Sequence, residues 1–579
     1  MTSLIREGHR AGPDWVRDAV FYQIFPDRFA ISPRVPKPGP LEPWDAPPTP
    51  HGFKGGDLLG IAAHLDDLRE LGVNALYLTP IFASASNHRY HTFDYEIVDP
   101  LLGGDAAFRE LLDAAHVRGM FVVLDGVFNH ASRGFWPFNH VLENGAASPY
   151  RDWFYLDSDV LAGRRGLIAY PGREQSEAMA RIQAGGHSVE DLSAATAAAV
   201  AAATAAAEAG HLPIEHPEGS EPAPRPGRTA SERVLGYQAW WDLPALPKLN
   251  HSNPAVREYI FSIVERWLRF GIDGWRLDVP EEIGEPGFWE EFRRRALAVN
   301  SQAYLVGEVW TPAQQWLAGD RFHAVMNYPL AEAILSYTGA ASMDWDLVAR
   351  THEYAMHVQG VDGPEFGRRL ERVMTTYSPA VTSMQLNLLG SHDTPRFRSL
   401  AGGDTSAVRL ATLIQMTLPG APCIYYGDEI GMEGREDPDC RRAYPWDPAR
   451  QDVELRAFVS GLLTMRREQR LLRHGQFKLL AAEGLAVAYS LERDETAPRS
   501  SFSFGEVPAR AIIIAINADD MPVRLTVRAP HLTGCHLEQV SWPGRKWGST
   551  FAPRLLPGEA FDVELDAREG VVIKAASVP

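Results

Sequence analysis

The stretch Gly271-Ile-Asp-Gly-Trp-Arg-Leu-Asp-Val-Pro280 decides the fold. It follows a helical run that ends at Phe270, and it is typical of a short buried strand with polar groups at its far end. Arg276 and Asp278 are two residues apart, so on a strand they face the same side. Because charges are rarely buried unpaired, the two residues form either a structural ion pair or part of a functional site. The stretch alone leaves both interpretations open.

Seven more apolar runs repeat the pattern of this stretch along the chain. They are continuous rather than alternating, as expected for parallel strands that helices cover on the outside. Helices predicted by apolar spacings of three and four residues lie between them, for example from Asp57 to Gly72, from about Asp105 to Arg118 and from Pro254 to Phe270. With the opening stretch counted as strand 4, the seven others are strand 1 Ala19–Phe25, strand 2 Val73–Leu78, strand 3 Met120–Asp125, strand 5 Ala303–Glu308, strand 6 Phe322–Met326, strand 7 Met384–Leu389 and strand 8 Pro422–Tyr426.

Eight strands that alternate with helices favour an α/β fold of the (β/α)8 barrel type. A doubly wound open sheet is the alternative, but it would not need eight strands, and the chain has no Gly-rich phosphate turn. The pattern breaks after strand 3 and resumes at Pro254, and after about residue 470 it changes to alternating strands separated by turns. The predicted parts are therefore barrel (1–130), inserted domain (131–251), barrel (252–472) and an antiparallel β-sandwich domain (473–579).

The middle of the insert has a composition unlike the rest of the chain. Val189 to Gly210 is largely alanine, which predicts a helix or a loosely ordered segment. Residues 212–229 are rich in Pro, Glu and Gly, which is typical of a linker. We expect this variable middle part to lie far from the chemistry.

Composition excludes several classes of partner. The formal net charge of −18 disfavours nucleic acid and anionic membranes, and it is compatible with a neutral substrate such as a sugar. The three cysteines include no CxxC pair, so neither a disulfide framework nor a zinc site is indicated. The first 15 residues lack the apolar core of a signal peptide, and no apolar run is long enough to cross a membrane. These features predict a cytoplasmic protein.

Polar side chains follow four of the predicted strands at their carboxyl ends, where barrels carry their chemistry. A single buried Asp or His is usually structural, but four such groups at one rim indicate a site. The groups are Asp125-Gly-Val-Phe-Asn129-His130 after strand 3, Arg276-Leu-Asp278 after strand 4, Glu308-Val-Trp310 after strand 5 and Ser391-His392-Asp393 after strand 7.

Converging carboxylates without a metal-ligand motif indicate glycosidic chemistry, in which one acid attacks the anomeric carbon and another protonates the leaving oxygen. The two acids must differ in pKa. Arg276 would keep Asp278 ionised as the nucleophile, whereas Val309 and Trp310 would raise the pKa of Glu308 as the general acid/base.

The four rim motifs, together and in order, resemble the signature regions of the α-amylase family of retaining glycoside hydrolases. The resemblance runs from about Asp14 to residue 470 and implies Asp278 as nucleophile, Glu308 as acid/base and Asp393 as the third carboxylate. It implies that the residues around the cleaved sugar are Tyr90, His130, Arg276 and His392. Trp310 is predicted to stack on the leaving sugar, Asp125 resembles the family's structural acid, and Asn129 matches a position that holds calcium in many members.

Two further motifs resemble markers of the neopullulanase, cyclomaltodextrinase and maltogenic amylase group, namely Leu246–Asn250 and Gly434–Trp446. The group's substrates are cyclodextrins, pullulan and short maltodextrins. Strand 1 begins at Ala19, so we expect no N-terminal β-domain of the kind that this group uses to form dimers, and the mode of assembly stays open. Lys248 stands where the family has an Asp, and a lysine cannot ligate Ca²⁺. We therefore predict that no calcium or other cofactor is required.

The alternatives lie within and outside the enzymes. An α-glucosidase, a transglycosylase or a trehalose-forming isomerase would use the same three acids and differ in how well water reaches the intermediate. A non-catalytic binding subunit should have lost one of the acids, but this chain keeps Asp278, Glu308 and Asp393.

Overall fold

The structure is a computed structural model that describes residues 12–184, 229–493, 509–541, 554–556 and 560–577. The Ala-rich segment Val189–Gly210 and nearly all of the predicted linker 212–229 lie outside the described residues. Among the described residues, no helix is both long and apolar enough to cross a membrane.

The centre of the molecule is a sheet of eight parallel strands, which confirms the predicted barrel. Neighbouring strands pair in the order β6-β5-β4-β3-β2-β1-β8-β7. A parallel bridge between Met326 and Leu386 and the hydrogen bond from Asn327 N to Leu386 O (2.9 Å) close the ring between β6 and β7. The strands are β1 Phe21–Ile24, β2 Ala75–Leu78, β3 Phe121–Gly126, β4 Gly274–Leu277, β5 Tyr304–Gly307, β6 Ala324–Val325, β7 Leu386–Leu388 and β8 Ala421–Tyr425.

Two apolar layers hold the barrel together. The inner layer consists of buried residues such as Phe21, Tyr77, Val306 and Leu388 from the inward faces of the strands. The outer layer joins the outward faces of the strands to the helices. The helices outside the insert are Pro26–Phe29, Leu58–Ala63, Leu65–Leu71, Gly104–Val117, Pro254–Phe270, Phe288–Val299, Tyr328–Thr338, Trp345–Arg350, His352–His357, Gly363–Thr375, Pro379–Thr382, Phe397–Leu400, Thr405–Thr417, Val453–Glu468 and Leu471–His474.

The prediction of one continuous helix from Asp57 to Gly72 is wrong at His64. The segment forms two helices, Leu58–Ala63 and Leu65–Leu71, and His64 lies between them with a non-helical backbone. The His64 ring stacks on Trp446, with 3.5 Å between the ring centroids. A contact with a residue so distant in sequence leaves no trace in the local apolar spacing.

The described part of the insert follows β3 and packs beside the mouth of the barrel. Its helices are Trp136–Asn144, Ser158–Leu161, Arg173–Gln183 and Ala230–Leu235. Its last segment returns along the loop after β3, as isolated bridges pair His130 with Lys248 and Phe154 with Leu249. A separate hairpin, Phe82–Ser84 with Thr92–Val98, follows β2 and carries Tyr90 in its turn.

The C-terminal part is an antiparallel sandwich, as predicted. One sheet contains Gln476–Glu483, Ala486–Glu492, Ala509–Asn517, Gly570–Ser577 and Cys535–Gln539, and the other contains Val523–Arg528, Ala560–Leu565 and Arg554–Leu556. Alternate residues of the larger sheet face in opposite directions. Ala488 and Ile513 contact the small sheet, whereas Tyr489 and Ile514 contact the barrel core.

Candidate active site

The predicted acids meet at one end of the barrel. Asp125 is the penultimate residue of β3 and pairs in register with Arg276 on β4. Asp278 and Glu308 directly follow β4 and β5, and the amide of Glu308 donates to Leu277 O (3.0 Å). Adjacent parallel strands that end level with each other therefore place these side chains side by side.

The Arg276 guanidinium lies among three carboxylates. Its Nη1 donates to Asp125 Oδ1 (2.8 Å) and to Asp278 Oδ1 (3.0 Å), and its Nη2 lies 2.8 Å from Glu308 Oε2. Burial alone would lower the pKa of Arg276, but the Asp125 and Glu308 carboxylates hold it well above its ordinary value. Arg276 is therefore a permanent cation at the centre of the site.

The pKa values of Asp278 and Glu308 do not separate as the sequence indicated. Burial raises the pKa of Asp278 well above its ordinary value, although Arg276 opposes the shift. Burial likewise raises the pKa of Glu308, again against Arg276. The prediction that Arg276 keeps Asp278 ionised is wrong for the free site, because one positive charge is shared among three buried carboxylates. Such a cluster titrates as a unit and retains a proton more readily than an isolated acid.

Asp125 is the most fully bonded acid of the cluster. Besides Arg276, its Oδ2 accepts hydrogen bonds from Tyr77 (2.8 Å) and Tyr90 (2.7 Å). Both of its oxygens are thus engaged by neighbouring side chains, and it is only 1% exposed. This environment fits a fixed acceptor that orients Arg276 and Tyr90 rather than a group that forms bonds to substrate.

Asp393 follows β7, which is separated from β5 by β6 alone. Its carboxylate lies 3.2 Å from both Arg441 Nη2 and His392 Nε2. Burial raises the pKa of Asp393, and Arg441 and Arg276 oppose the shift. Its side chain is more exposed than those of Asp278 and Glu308, so it is the acid most open to a ligand.

Tyr90 and His392 form a stacked pair beside Asp125 and Asp393. Their rings stack with 5.2 Å between the centroids, and Tyr90 Oη lies 2.6 Å from His392 Nε2. Gln23 Nε2 contacts His392 Nδ1 at 3.0 Å, so both ring nitrogens are held. The pair presents an aromatic surface of fixed orientation next to the acids.

His130 and Trp310 border the site on other sides. The buried His130 ring stacks on Trp240 (4.7 Å between centroids), and burial, with a smaller contribution from His91, lowers the pKa of His130 to about 3. Trp310 stacks flat on Tyr328 at 3.4 Å, which covers one indole face. Its indole also donates a hydrogen bond to Glu308, which lowers the pKa of this acid, so the prediction that Trp310 raises it is wrong and burial is what raises it.

The residues present do not fit a calcium site at Asn129. Lys248 Nζ is bonded to Glu282 Oε2 (3.1 Å), so an ammonium occupies the marker position. Asn129 is buried and offers one amide oxygen, which accepts no hydrogen bond within the described residues. A single oxygen beside an ammonium falls short of the six to eight oxygens that Ca²⁺ takes. In the described part of the chain, no group of three or more His, Cys, Asp or Glu side chains could hold a metal ion.

Sequence reasoning missed four residues that contact the predicted site residues and hold them in place. Tyr77 lies on β2 and Gln23 on β1, and both look like ordinary members of apolar strands. Trp240 lies in the insert near the Leu246–Asn250 marker. Arg441 lies inside the Gly434–Trp446 marker, so the marker itself was the signal that could have identified it. The other three carry no local signal.

Comparison with known proteins gives a consistent result. The family described as "Alpha amylase, catalytic domain" matches residues 23–182 and 229–470. A cyclomaltodextrinase of Geobacillus thermopakistaniensis is 39% identical over 473 residues, which cover 81% of this chain and 66% of the relative. Neopullulanase 2 of Thermoactinomyces vulgaris is 37% identical and covers 83% of this chain and 68% of the relative. The chain thus spans about two thirds of the length of these curated relatives.

A solved structure matches over its whole length. The debranching enzyme of Nostoc punctiforme is 39% identical and superposes with a TM-score of 0.76, covering 97% of this chain and 99% of that chain. The likeness therefore includes the barrel, the insert and the C-terminal sandwich.

Proposed function

The chain belongs to the α-amylase family of glycoside hydrolases, and within this family we propose that it hydrolyses α-1,4-glucosidic bonds of short α-glucans through a covalent glycosyl-Asp278 intermediate. The observation that carries the proposal is the contact of one guanidinium, that of Arg276, with Asp278 and Glu308 at the ends of adjacent strands. Acids held on neighbouring nitrogens of one planar group favour the close spacing of a retaining glycosidase over the wider spacing of an inverting one.

In the first half of the reaction, Asp278 attacks the anomeric carbon of the sugar. The bond from this carbon to the glycosidic oxygen breaks, and the leaving oxygen takes the proton of Glu308. Arg276 stays charged beside Asp278 and favours its ionised form in the reacting complex. Asp393, held by Arg441, is assigned to the hydroxyl groups of the same sugar.

In the second half, water attacks the anomeric carbon and transfers a proton to Glu308. The bond to Asp278 breaks, and both acids return to their starting states. The raised pKa of Glu308 suits this double role, because an acid/base must hold a proton at the working pH and release it in the reaction. Tyr90, stacked on His392, is assigned as the platform for the sugar being cleaved.

The nucleophile assignment is tested with Asp278→Asn. The variant removes the attacking oxygen without changing the shape of the side chain, so turnover of maltotriose and of β-cyclodextrin should fall by a factor of about 10⁴ or more, while the circular dichroism spectrum is retained. Substantial residual turnover by a homogeneous, correctly folded variant would contradict the assignment.

The substrate proposal covers cyclodextrins, maltodextrins and pullulan, with α-1,6 cleavage as a second specificity. It is supported by the names of the relatives, a cyclomaltodextrinase and a neopullulanase, and by the match to a debranching enzyme over almost its entire length. Product analysis on β-cyclodextrin, pullulan, starch and trehalose separates these activities. We also propose that the protein works in the cytoplasm, a setting in which its three free cysteines stay reduced.

A further inference from the structure

Val279, the residue between Asp278 and Pro280, has an unusual backbone conformation. Its φ of 34° and ψ of 55° lie in the left-handed region, which β-branched residues rarely adopt. The proline that follows makes this conformation still less favourable, because a residue before proline prefers extended backbone. Strain of this kind persists only where the surroundings impose it, and it is concentrated at functional sites.

The turn after Val279 is held by contacts on both sides. Pro280 is buried, and its ring packs beside Gly307, the last residue of β5. The indole of Trp289 donates a hydrogen bond to Pro280 O (3.2 Å), and Glu282 N donates to Val279 O (3.1 Å). These contacts fix the turn and thereby impose the conformation of Val279.

At the start of this strained turn, the Val279 amide points at the acid/base. Val279 N donates to Glu308 Oε2 at 3.1 Å. The same oxygen lies 2.8 Å from Arg276 Nη2. The Arg276 and Val279 contacts both fall on Oε2 of Glu308 and favour its ionised form, and the Trp310 indole is a third donor to this carboxylate. With two donors on Oε2, the proton of the neutral acid belongs on the other oxygen, Oε1.

We propose that the backbone amide of Val279 is a positioning group that holds Glu308 Oε2 as an acceptor, so that Oε1 carries the proton that is transferred. This inference rests on the proposed function, because it assigns a direction to the acid/base of that reaction. The glycosidic oxygen takes the proton from Oε1 as its bond to the anomeric carbon breaks. Oε1 regains a proton from the water that attacks in the second half.

The test replaces Val279 by its α-hydroxy acid analogue, 2-hydroxy-3-methylbutanoic acid, which exchanges the N–H for an ester oxygen and keeps the side chain. Two substrates are compared: maltotriose, whose leaving sugar needs a proton, and α-maltosyl fluoride, whose fluoride leaves without one. We expect kcat/KM for maltotriose to fall about tenfold or more, since general acid catalysis as a whole contributes a factor of about 10²–10⁴. We expect kcat/KM for the fluoride to change less than about twofold. The alkaline limb of the maltotriose pH profile should move to higher pH, since loss of the N–H raises the pKa of Glu308 further.

Val279→Gly is the matched control. Glycine keeps the N–H and adopts the left-handed conformation without strain, so this variant should melt at a higher temperature and leave both the alkaline limb and the ratio of the two kcat/KM values unchanged. Trp289→Phe removes the indole hydrogen bond to Pro280 O that holds the turn. It should shift the alkaline limb and the ratio of the two kcat/KM values in the same direction as the ester variant, but by less. It provides the test if the ester variant does not fold.

Equal losses on the two substrates in the ester variant, or an unmoved alkaline limb, would overturn the inference. The inference would also be overturned if Val279→Gly shifted the alkaline limb or the ratio of the two kcat/KM values as much as the ester variant does. The effect would then belong to the side chain and not to the amide. Failure of the proposed function looks different: the wild-type protein would then turn over neither maltotriose nor α-maltosyl fluoride.

Discussion

At the scale of single residues, the site depends on one cation among several acids. Arg276 contacts Asp125, Asp278 and Glu308, and its charge is too small to compensate all three. The sequence predicted which acids meet, because each follows a strand in an ordered series. It predicted the raised pKa of Glu308 but not that of Asp278, because the pKa of Asp278 depends on how deeply the acids are buried and on how many of them share Arg276.

Asp278→Asn should therefore stabilise the protein at neutral pH. Burial raises the pKa of Asp278 in the folded protein. The contribution of such a carboxylate to the free energy of unfolding is greatest below its pKa in the unfolded chain, and it is lost as the pH rises through its pKa in the folded protein. Above that range, a pKa raised by one pH unit lowers the free energy of unfolding by about 1.4 kcal/mol. We expect Tm of the variant to exceed that of the wild type at pH 7 and the difference to vanish near pH 4.

Asp66→Asn is the control for this experiment. Its hydrogen bond to Arg118 lowers the pKa of Asp66, so the same exchange should bring no stabilisation at pH 7. A Tm of Asp278→Asn below that of the wild type at pH 7 would contradict the assigned pKa direction.

Lys248 carries a second prediction at this scale. Because its ammonium bonds to Glu282 and the neighbouring Asn129 offers a single oxygen, we expect no calcium requirement at this position. Treatment with EDTA should leave both Tm and kcat/KM unaltered. A fall in either quantity that added CaCl₂ restores would show that calcium is bound.

At the scale of the elements, local sequence signals predict the bounds of a helix or strand correctly where residues of that segment itself set its ends. The helix Pro254–Phe270 has the predicted bounds because the Asn253 side chain caps it, proline occupies its first position and Gly271 ends it with φ 116°. The helix broken at His64 and the two-residue strand β6 differ from expectation. Their ends are set by contacts with distant parts of the chain.

Gly274, the first residue of β4, lies close against Tyr304 of β5. A Cβ there would come within 2.3 Å of Tyr304 O, so Gly274→Ala must shift β4 against β5, and Asp278 and Glu308 follow these two strands. We expect the variant to lose about 1–3 kcal/mol of stability and kcat/KM to fall by a factor of about 10² or more. Chemical denaturation and steady-state kinetics on maltotriose measure the two effects.

Gly271→Ala separates strain from displacement. Its positive φ makes alanine unfavourable, but the nearest atoms belong to flexible side chains, so stability should fall while kcat/KM stays within about twofold. Equal losses of activity in the two variants would show that the spacing of β4 and β5 is not what matters at Gly274.

At the scale of the whole molecule, the C-terminal sandwich is joined closely to the barrel. Tyr489 Oη lies 2.6 Å from Thr417 Oγ1, and the Tyr337 hydroxyl donates to Leu485 O (2.6 Å). Arg568 donates to Thr338 O (3.2 Å) and forms an ion pair with Asp404, so one side chain of the sandwich contacts two barrel segments. The sequence predicted both domains but not this interface, because its members are far apart along the chain.

Arg568→Ala should weaken the interface without affecting the chemistry. The loss of charge-assisted hydrogen bonds to the barrel should cost about 2–3 kcal/mol and separate the calorimetric transitions of the two domains. Kinetics on maltotriose should stay within about twofold of the wild type. Arg524→Ala, which removes an exposed ion pair with Glu564 on the sandwich, should change neither the stability nor the calorimetric transitions. An equal effect of the two variants would contradict the role of Arg568.

The central claim, that Asp278 is the nucleophile, is tested most directly by trapping the covalent intermediate. Glu308→Gln removes the base that deprotonates the attacking water, so reaction of this variant with α-maltosyl fluoride should leave a maltosyl ester on the protein. Peptic digestion at low pH and mass spectrometry should then locate the added maltosyl mass on Asp278, and Asp278→Asn in the same background should abolish it. A label on Glu281 or Asp393, or fluoride release without any label, would contradict the account.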